Sequence, residues 1–235
     1  HTGIRRQRQM CIRDSNHREI VERLENKDIG WAYADQSMFN PKLHNLMSLR
    51  KQIIKRPVIT TVEVLVKPVS SKNDMFFTGF VHRPYPPIYL ELSRNAQFDS
   101  ATVIRGTEGG IIPSLRQTGK VHFYHGAGEQ DDYYDITPED LGIVQSSRAV
   151  DIPVEITRKN TKDKIESKVD AVDIAKETIK SGISALSGND GAMLSCIQLG
   201  AAIILQRATG NDLGNCSKEV LRVLKSGAAL KRMKR

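Results

Sequence analysis

The chain has 235 residues, 39% of them hydrophobic, with a formal net charge of +8. That composition suffices for a core and excludes a disordered chain, while the basic balance directs attention to anionic ligands. No apolar run approaches the roughly 20 residues of a membrane span, and no apolar signal core follows the start, so secretion is not expected.

Residues 1–15, HTGIRRQRQMCIRDS, have no hydrophobic period and resemble translated sequencing-adapter read-through. They are set apart from the fold, and residues 16–235 are treated as one partial domain. The first segment holds Arg5, Arg6, Arg8 and Arg13 against Asp14, so +5 of the formal +8 remains for the rest.

Leu43, Leu46, Met47, Ile53 and Ile54 fit one face of a helix over 39–54, with Pro41 in its first turn. Arg50, Lys51, Lys55 and Arg56 crowd its end, where cations suit the helix dipole. The β-branched run 58–66 predicts a strand, and 75–82 another. Pro84, Pro86 and Pro87 break the chain before a helix over 88–96. Ala101 to Ile104 read as a buried strand, followed by a turn on Gly106, Gly109 and Gly110. A short strand is expected at 121–125 and another within DDYYDI. Thr137, Pro138, Glu139 and Asp140 read as N-cap, first helical position and two first-turn acids. Residues 150–157 read as extended and 158–168 as a polar surface segment. Three amphipathic helices follow, at 170–186, 190–208 and 215–226, separated by Gly188 and Gly210 and ended by Gly227. Strands mixed with helices, then a helical tail, predict an α/β layer with helices packed at one end.

The chemistry-bearing residues do not form a recognisable catalytic set. His44, His82, His122 and His125 are scattered, and no Ser/His/Asp or Cys/His arrangement is readable. Asp131–Asp132 and Glu139–Asp140 are paired acids, the second suited to a helix first turn without catalysis. Cys11, Cys196 and Cys216 lack paired or CxxC spacing, as expected of free thiols in a reducing cytoplasm. The basic group at 50–56 is either a solvated helix end or a site for phosphate, carboxylate or a nucleic-acid backbone. Phe76, Phe77, Phe80, Tyr85 and Tyr89 read first as strand core and only second as a surface for stacking bases.

Several of these stretches resemble one family. FNPKLHNLMSLRKQIIKR is similar to the Phe-x-Pro…Asn…Arg helix of anthranilate phosphoribosyltransferases, with Phe39, Pro41, Asn45, Arg50 and Arg56 on the pattern. YDITPEDLGI resembles the family's Tyr-x-Ile-x-Pro-Glu-Asp-Phe-Gly element. ALSG, LGAAIIL and LKSGAAL follow in the order of its closing helices. The resemblance covers about residues 33–235 and implies the C-terminal part of a longer, dimeric protein. The implied fold is α/β, a parallel sheet flanked by helices, with C-terminal helices of a small helical domain. Because N-terminal helices of that domain are not in the chain, the 215–226 helix is expected to keep an exposed apolar face.

The family joins a phosphoribosyl diphosphate to anthranilate with Mg²⁺, and its turn reads His-Gly-x-x-Gly-x-Asp-Glu, the two acids holding metal. Here Arg105 takes the His place, Gly106 and Gly109 keep the glycines, and Ile111 and Ile112 take the places of the two acids. Isoleucine offers no oxygen to a hard cation. The RGTEGG turn is similar to that of the YbiB-type paralogues, glycosyl transferase family proteins that bind DNA and RNA without showing the transferase reaction. This resemblance implies sequence-nonspecific nucleic-acid binding with no metal and no catalytic residue. The anion-binding residues are then Arg50, Lys51, Lys55, Arg56, Arg105 and Lys120. Arg50 is expected to face the inherited ligand cleft, with Lys51 and Lys55 as a second ridge. The alternative is a working Mg²⁺-dependent glycosyl- or phosphoribosyltransferase with Glu108 as a metal ligand.

Overall fold

The computed structural model describes residues 17–53, 58–151 and 171–235. The readings placed on 152–168 lie outside the described residues, as do Ile54, Lys55 and Arg56 and the side chains of Lys51 and Glu108. Helix α1 spans His17–Glu25, and three short helices follow: α2 (Gln36–Phe39), α3 (Pro41–His44) and α4 (Met47–Gln52). A single helix over 39–54 was expected, and local capping breaks it. Asp35 Oδ1 accepts from Ser37 N at 2.8 Å, and Asn40 Oδ1 from Leu43 N at 3.1 Å. Pro41 opens α3, where its missing N–H costs no hydrogen bond.

The strand expected at 58–66 is also corrected. Helix α5 (Ile59–Val62) runs into a 3₁₀ turn at Glu63–Leu65. Burial falls on Thr60 and Leu65, while Val62 and Val64 are exposed. That spacing does not suit the two-residue period of a strand, and β propensity yields to packing.

Four strands make one sheet in the order β1 (Met75–Phe80), β2 (Ser100–Arg105), β3 (Gly119–Tyr124), β4 (Asp132–Ile136). β1 and β2 are parallel, joined by helix α6 (Tyr85–Asn95). β3 pairs antiparallel with both β2 and β4, so the sheet is mixed rather than parallel throughout. A parallel pair needs a crossover, supplied here by α6, whereas an antiparallel neighbour is reached by a loop. Helix α6 starts three residues before its expected position, because Pro86 and Pro87 sit in the first turn, where no donor is required. Pro138–Leu141 form a 3₁₀ turn without a side-chain cap from Thr137, whose Oγ1 instead lies 3.2 Å from Thr118 Oγ1.

Alternation along the strands divides the core. Phe76, Phe80, Ala101, Val103 and Tyr124 face Tyr89 and Leu90 of α6. Tyr124 Oη donates to the Phe98 carbonyl at 3.0 Å, and burial pushes its pKa up. On the opposite face, Ile104, Val121 and Ile136 meet Cys196, Leu199 and Ile203 of α8 (Ala192–Thr209). Helix α8 is 18 residues long with mean hydropathy 1.3, so by length and composition it corrects the expectation that no run is long enough to span a membrane. Half of it is buried in the protein, as befits a helix clamped between a sheet and two neighbours.

Those neighbours are α7 (Ala171–Leu186) and α9 (Leu213–Lys225), with α10 (Ala228–Met233) closing the chain. Ala185, Leu194 and Leu224 are buried where α7, α8 and α9 meet, with Val220, Leu221 and Ala229 packed around them. The apolar face expected to remain open on α9 is therefore covered. Exposed large apolar residues gather instead between Val21 and Val64, including Leu24, Met38, Leu49, Ile53 and Val58.

Candidate functional site

Strand β2 is buried from Ser100 to Ile104 and emerges at Arg105, which is exposed. The chain then folds back, with Gly106 bridging Pro113 and Thr107 N donating to Ile112 O at 3.0 Å. A 3₁₀ turn at Thr107–Gly109 closes the loop, with Gly109 at φ +85°. The turn presses on the end of β1. A Cβ on Gly79 would stand 2.1 Å from Gly110 O, and one on Gly106 1.4 Å from the same atom. Only residues without a Cβ permit that approach.

The two isoleucines of this turn have different surroundings. Ile111 is exposed. Ile112 is half-buried against the sheet's α8 side, and a Cβ on Gly200 would stand 3.3 Å from its Cγ1. The Thr107 hydroxyl is buried and, among the described residues, has no hydrogen-bond partner.

Of the expected anion-binding residues, the side chains of Arg50, Arg105 and Lys120 are described. Arg50 lies near the end of α4, its Nη1 2.5 Å from Glu63 Oε2 on the 3₁₀ turn after α5. Both side chains are mostly buried, at 26% and 15% exposure. Arg50, expected to face a ligand cleft, is an ion-pair partner of Glu63. Lys51 belongs to α4, but its side chain, with Lys55 and Arg56, falls outside what is described. Arg105 and Lys120 are each the next residue beyond the last β2–β3 pair. The β2–β3 register pairs Ile104 with Val121, and one further step sets Arg105 opposite Lys120. Lys120 Nζ lies 2.9 Å from Asp135 and 4.2 Å over the Tyr133 ring.

The histidines serve separate contacts. His17 Nδ1 is 2.6 Å from the Pro68 carbonyl, and His82 lies against Tyr85. His122 has Phe80 on one side and Tyr133 on the other, each with ring centroids 5.6 Å away. Burial, and next the Lys120 charge, hold the His122 pKa below its usual range. Among the described residues no group of three or more His, Cys, Asp or Glu side chains is placed to hold a metal. The first pair of acids has partners of its own. Asp131 accepts from Arg94 at 2.5 Å, and Asp132 Oδ1 from Tyr133 N at 2.7 Å.

Of the aromatic residues considered for stacking, Phe76, Phe80 and Tyr89 are core. Two tyrosines outside that group are open to solvent among the described residues, Tyr133 over 57% of its surface and Tyr33 over 53%. Strand alternation in DDYYDI marks Tyr133 and Tyr134 for opposite faces. It does not say which face stays open, because that depends on where α6 and α8 end.

Comparison with known proteins fits this architecture. No family model matches the chain. It is 30% identical over 152 residues to an uncharacterized protein of Aquifex aeolicus (strain VF5), covering 60% of this chain and 45% of that one. It is 21% identical over 205 residues to the anthranilate phosphoribosyltransferase of the same organism, covering 87% and 54%. The chain thus spans about half the length of the curated relatives it matches. Among solved structures, the Saccharomyces cerevisiae anthranilate phosphoribosyltransferase in complex with PRPP and Mg superposes with TM-score 0.66 at 14% identity, over 94% of this chain and 57% of that one. The Thermus thermophilus enzyme gives 0.63 at 19% identity, over 92% and 57%. The described elements, a four-stranded α/β sheet with a C-terminal helical region, therefore have the anthranilate phosphoribosyltransferase fold.

Proposed function

We propose that this chain belongs to a nucleic-acid-binding protein built on the anthranilate phosphoribosyltransferase fold, of the YbiB type, whose metal site has been lost. The observation that carries the reading is Ile112. It occupies the place of a metal carboxylate in the family's turn and packs toward Gly200 of α8. Ile111, in the other carboxylate place, offers only hydrocarbon. A hard cation needs oxygen ligands, so these two residues do not fit Mg²⁺. With no metal to neutralise, a fold adapted to phosphate groups and carrying excess positive charge suits a phosphodiester backbone, read by charge rather than by base sequence.

The basic stretch 50–56, with Arg105 and Lys120, is the proposed contact surface. Arg50 is tied to Glu63, so the proposal places the contact chiefly on Lys51, Lys55 and Arg56. The parent protein is proposed to be a cytoplasmic homodimer with DNA or RNA as its partner. The test is a fluorescence-anisotropy titration of two unrelated oligonucleotides at several salt concentrations. Log affinity should fall linearly with log salt, by about 0.9 per phosphate contact on duplex or about 0.7 on single strands. Lys51→Glu with Lys55→Glu should weaken both oligonucleotides alike and flatten the slope by about one unit or more. A slope near zero would refute the reading.

A second reading is favoured by the structural likeness to an enzyme described with PRPP and Mg. It is a working Mg²⁺-dependent glycosyl- or phosphoribosyltransferase, with Glu108 as a metal ligand. Phosphoribosyl transfer to anthranilate that disappears on chelation would establish it.

A further inference from the structure

We propose that Tyr133 and His122, with Lys120 and Arg105 beside them, form a base-stacking platform for single-stranded nucleic acid on the α6-side face of the sheet. This rests on the nucleic-acid reading above and adds to it a contact with the bases themselves.

The register puts the four side chains on one face. His122 pairs with Tyr133 and Lys120 with Asp135 across β3 and β4, while Val103 pairs with His122 across β2 and β3. Directly opposed antiparallel residues share a face, as do residues two apart on one strand, so Tyr133, His122, Lys120 and Arg105 belong to one face. Along β3 the same face runs from Tyr124, sealed under α6, to half-buried His122 and Lys120. Burial therefore fades toward this end, and Tyr133, on the outer strand, is left 57% exposed.

The rings form a row from inside to outside: Phe80 is core, His122 lies edge-on to it, and Tyr133 is tilted by 36° against His122. Lys120 touches the Tyr133 ring as well. Contacts from His122 and Lys120 hold the phenol ring before any ligand arrives, which lowers the ordering cost of binding. An aromatic ring on an open sheet face with cations nearby is the arrangement that receives unpaired bases. The ring stacks on a base of any identity, and the cations meet the backbone. Bases in a duplex are already stacked and offer no free face, which commits the platform to single strands.

The acids around it are largely occupied. Asp131 is held by Arg94, Asp132 accepts from the Tyr133 amide, and Asp135 is neutralised by Lys120. Among the described residues Arg105 makes no ion pair, which leaves its charge to meet a phosphate.

The experiment compares dye-labelled oligothymidylate with an abasic phosphodiester of equal length and charge, by anisotropy at fixed salt. The native protein should bind oligothymidylate about tenfold more tightly, within the range of one stacked base. Tyr133→Ala should erase that preference while leaving abasic binding unchanged, and Tyr133→Phe should retain it. Thermal unfolding of each variant checks that the exposed ring was not needed for folding. Equal affinity for the two ligands, or equal losses on both in Tyr133→Ala, would overturn the platform and leave charge-only binding standing. Absence of binding to either ligand would overturn the nucleic-acid reading itself, and the platform with it.

Discussion

Ile112 lies so close to Gly200 that a methyl group added at the glycine would stand 3.3 Å from Ile112 Cγ1. The turn that closes β2 is thereby seated on the middle of α8, with Leu199 and Ile203 buried alongside. Ile112 thus serves the packing of sheet against helix. Ile112→Glu should lower stability by about 1–3 kcal/mol, because a carboxylate would be set against an apolar cluster. Gly200→Leu should cost a similar amount by overpacking. Urea unfolding of both variants measures this, and an unchanged midpoint for Ile112→Glu would show that its side chain is free to leave α8.

Gly79 and Gly106 allow β1 and the turn to touch. Alanine at either position would drive a Cβ into Gly110 O, which belongs to the backbone and cannot rotate away. Gly79→Ala and Gly106→Ala should each lower Tm by about 2–4 °C or more, as expected from a loss of about 1 kcal/mol or more in a chain of this size. Gly128, which has nothing within 4 Å of an added Cβ, is the control. Gly128→Ala should melt with the parent.

The Arg50–Glu63 pair joins α4 to the turn after α5. Arg50→Ala leaves Glu63, only 15% exposed, without its partner, and should cost about 1–3 kcal/mol. Glu63→Gln has the opposite consequence for ligands, since it releases the guanidinium. Its salt dependence of oligonucleotide binding should steepen by up to about one phosphate contact. An unchanged slope in Glu63→Gln would remove Arg50 from the binding surface.

Tyr134 Oη donates to Gln206 Oε1 on α8 at 2.6 Å. Burial pushes its pKa up to about 12, with the nearby Arg207 charge opposing. The unfolded phenol titrates near pH 10. Between pH 10 and 12 the folded state therefore holds more protons than the unfolded one. The stability contributed by the neutral phenol is complete below pH 10 and is lost as pH rises toward 12. Absorbance at about 295 nm should show one tyrosine ionising last, near the onset of alkaline unfolding. Tyr134→Phe should remove that late step, and an unaltered titration curve would refute the assignment.

The helices around α8 were legible because each carries a complete local message. An apolar period of 3.6 marks the body, and Gly188, Gly210 and Gly227, all at positive φ, mark the separations. The strands from 75 to 136 were legible for the same reason, being short hydrophobic runs bounded by turn residues. At 39–66 two local preferences competed. Apolar spacing favoured one helix and β-branching a strand, while the caps of Asp35 and Asn40 and the pairing of Arg50 with Glu63 decided otherwise.

The sequence alone determined which groups are present at the turn: three glycines, one acid and two isoleucines where the resembled family has carboxylates. It also set the basic charge, and the alternation that places Tyr133 and Tyr134 on opposite faces of β4. Only the tertiary structure decided what those groups meet. It put Ile112 toward Gly200, Arg50 onto Glu63, Lys120 between Asp135 and Tyr133, and Tyr133 beyond the cover of α6. These partners lie 13 to 88 residues apart along the chain, and groups so separated meet only once the elements that carry them have docked on one another. Periodicity fixes the face on which a side chain stands, whereas its partner depends on the docking of whole elements.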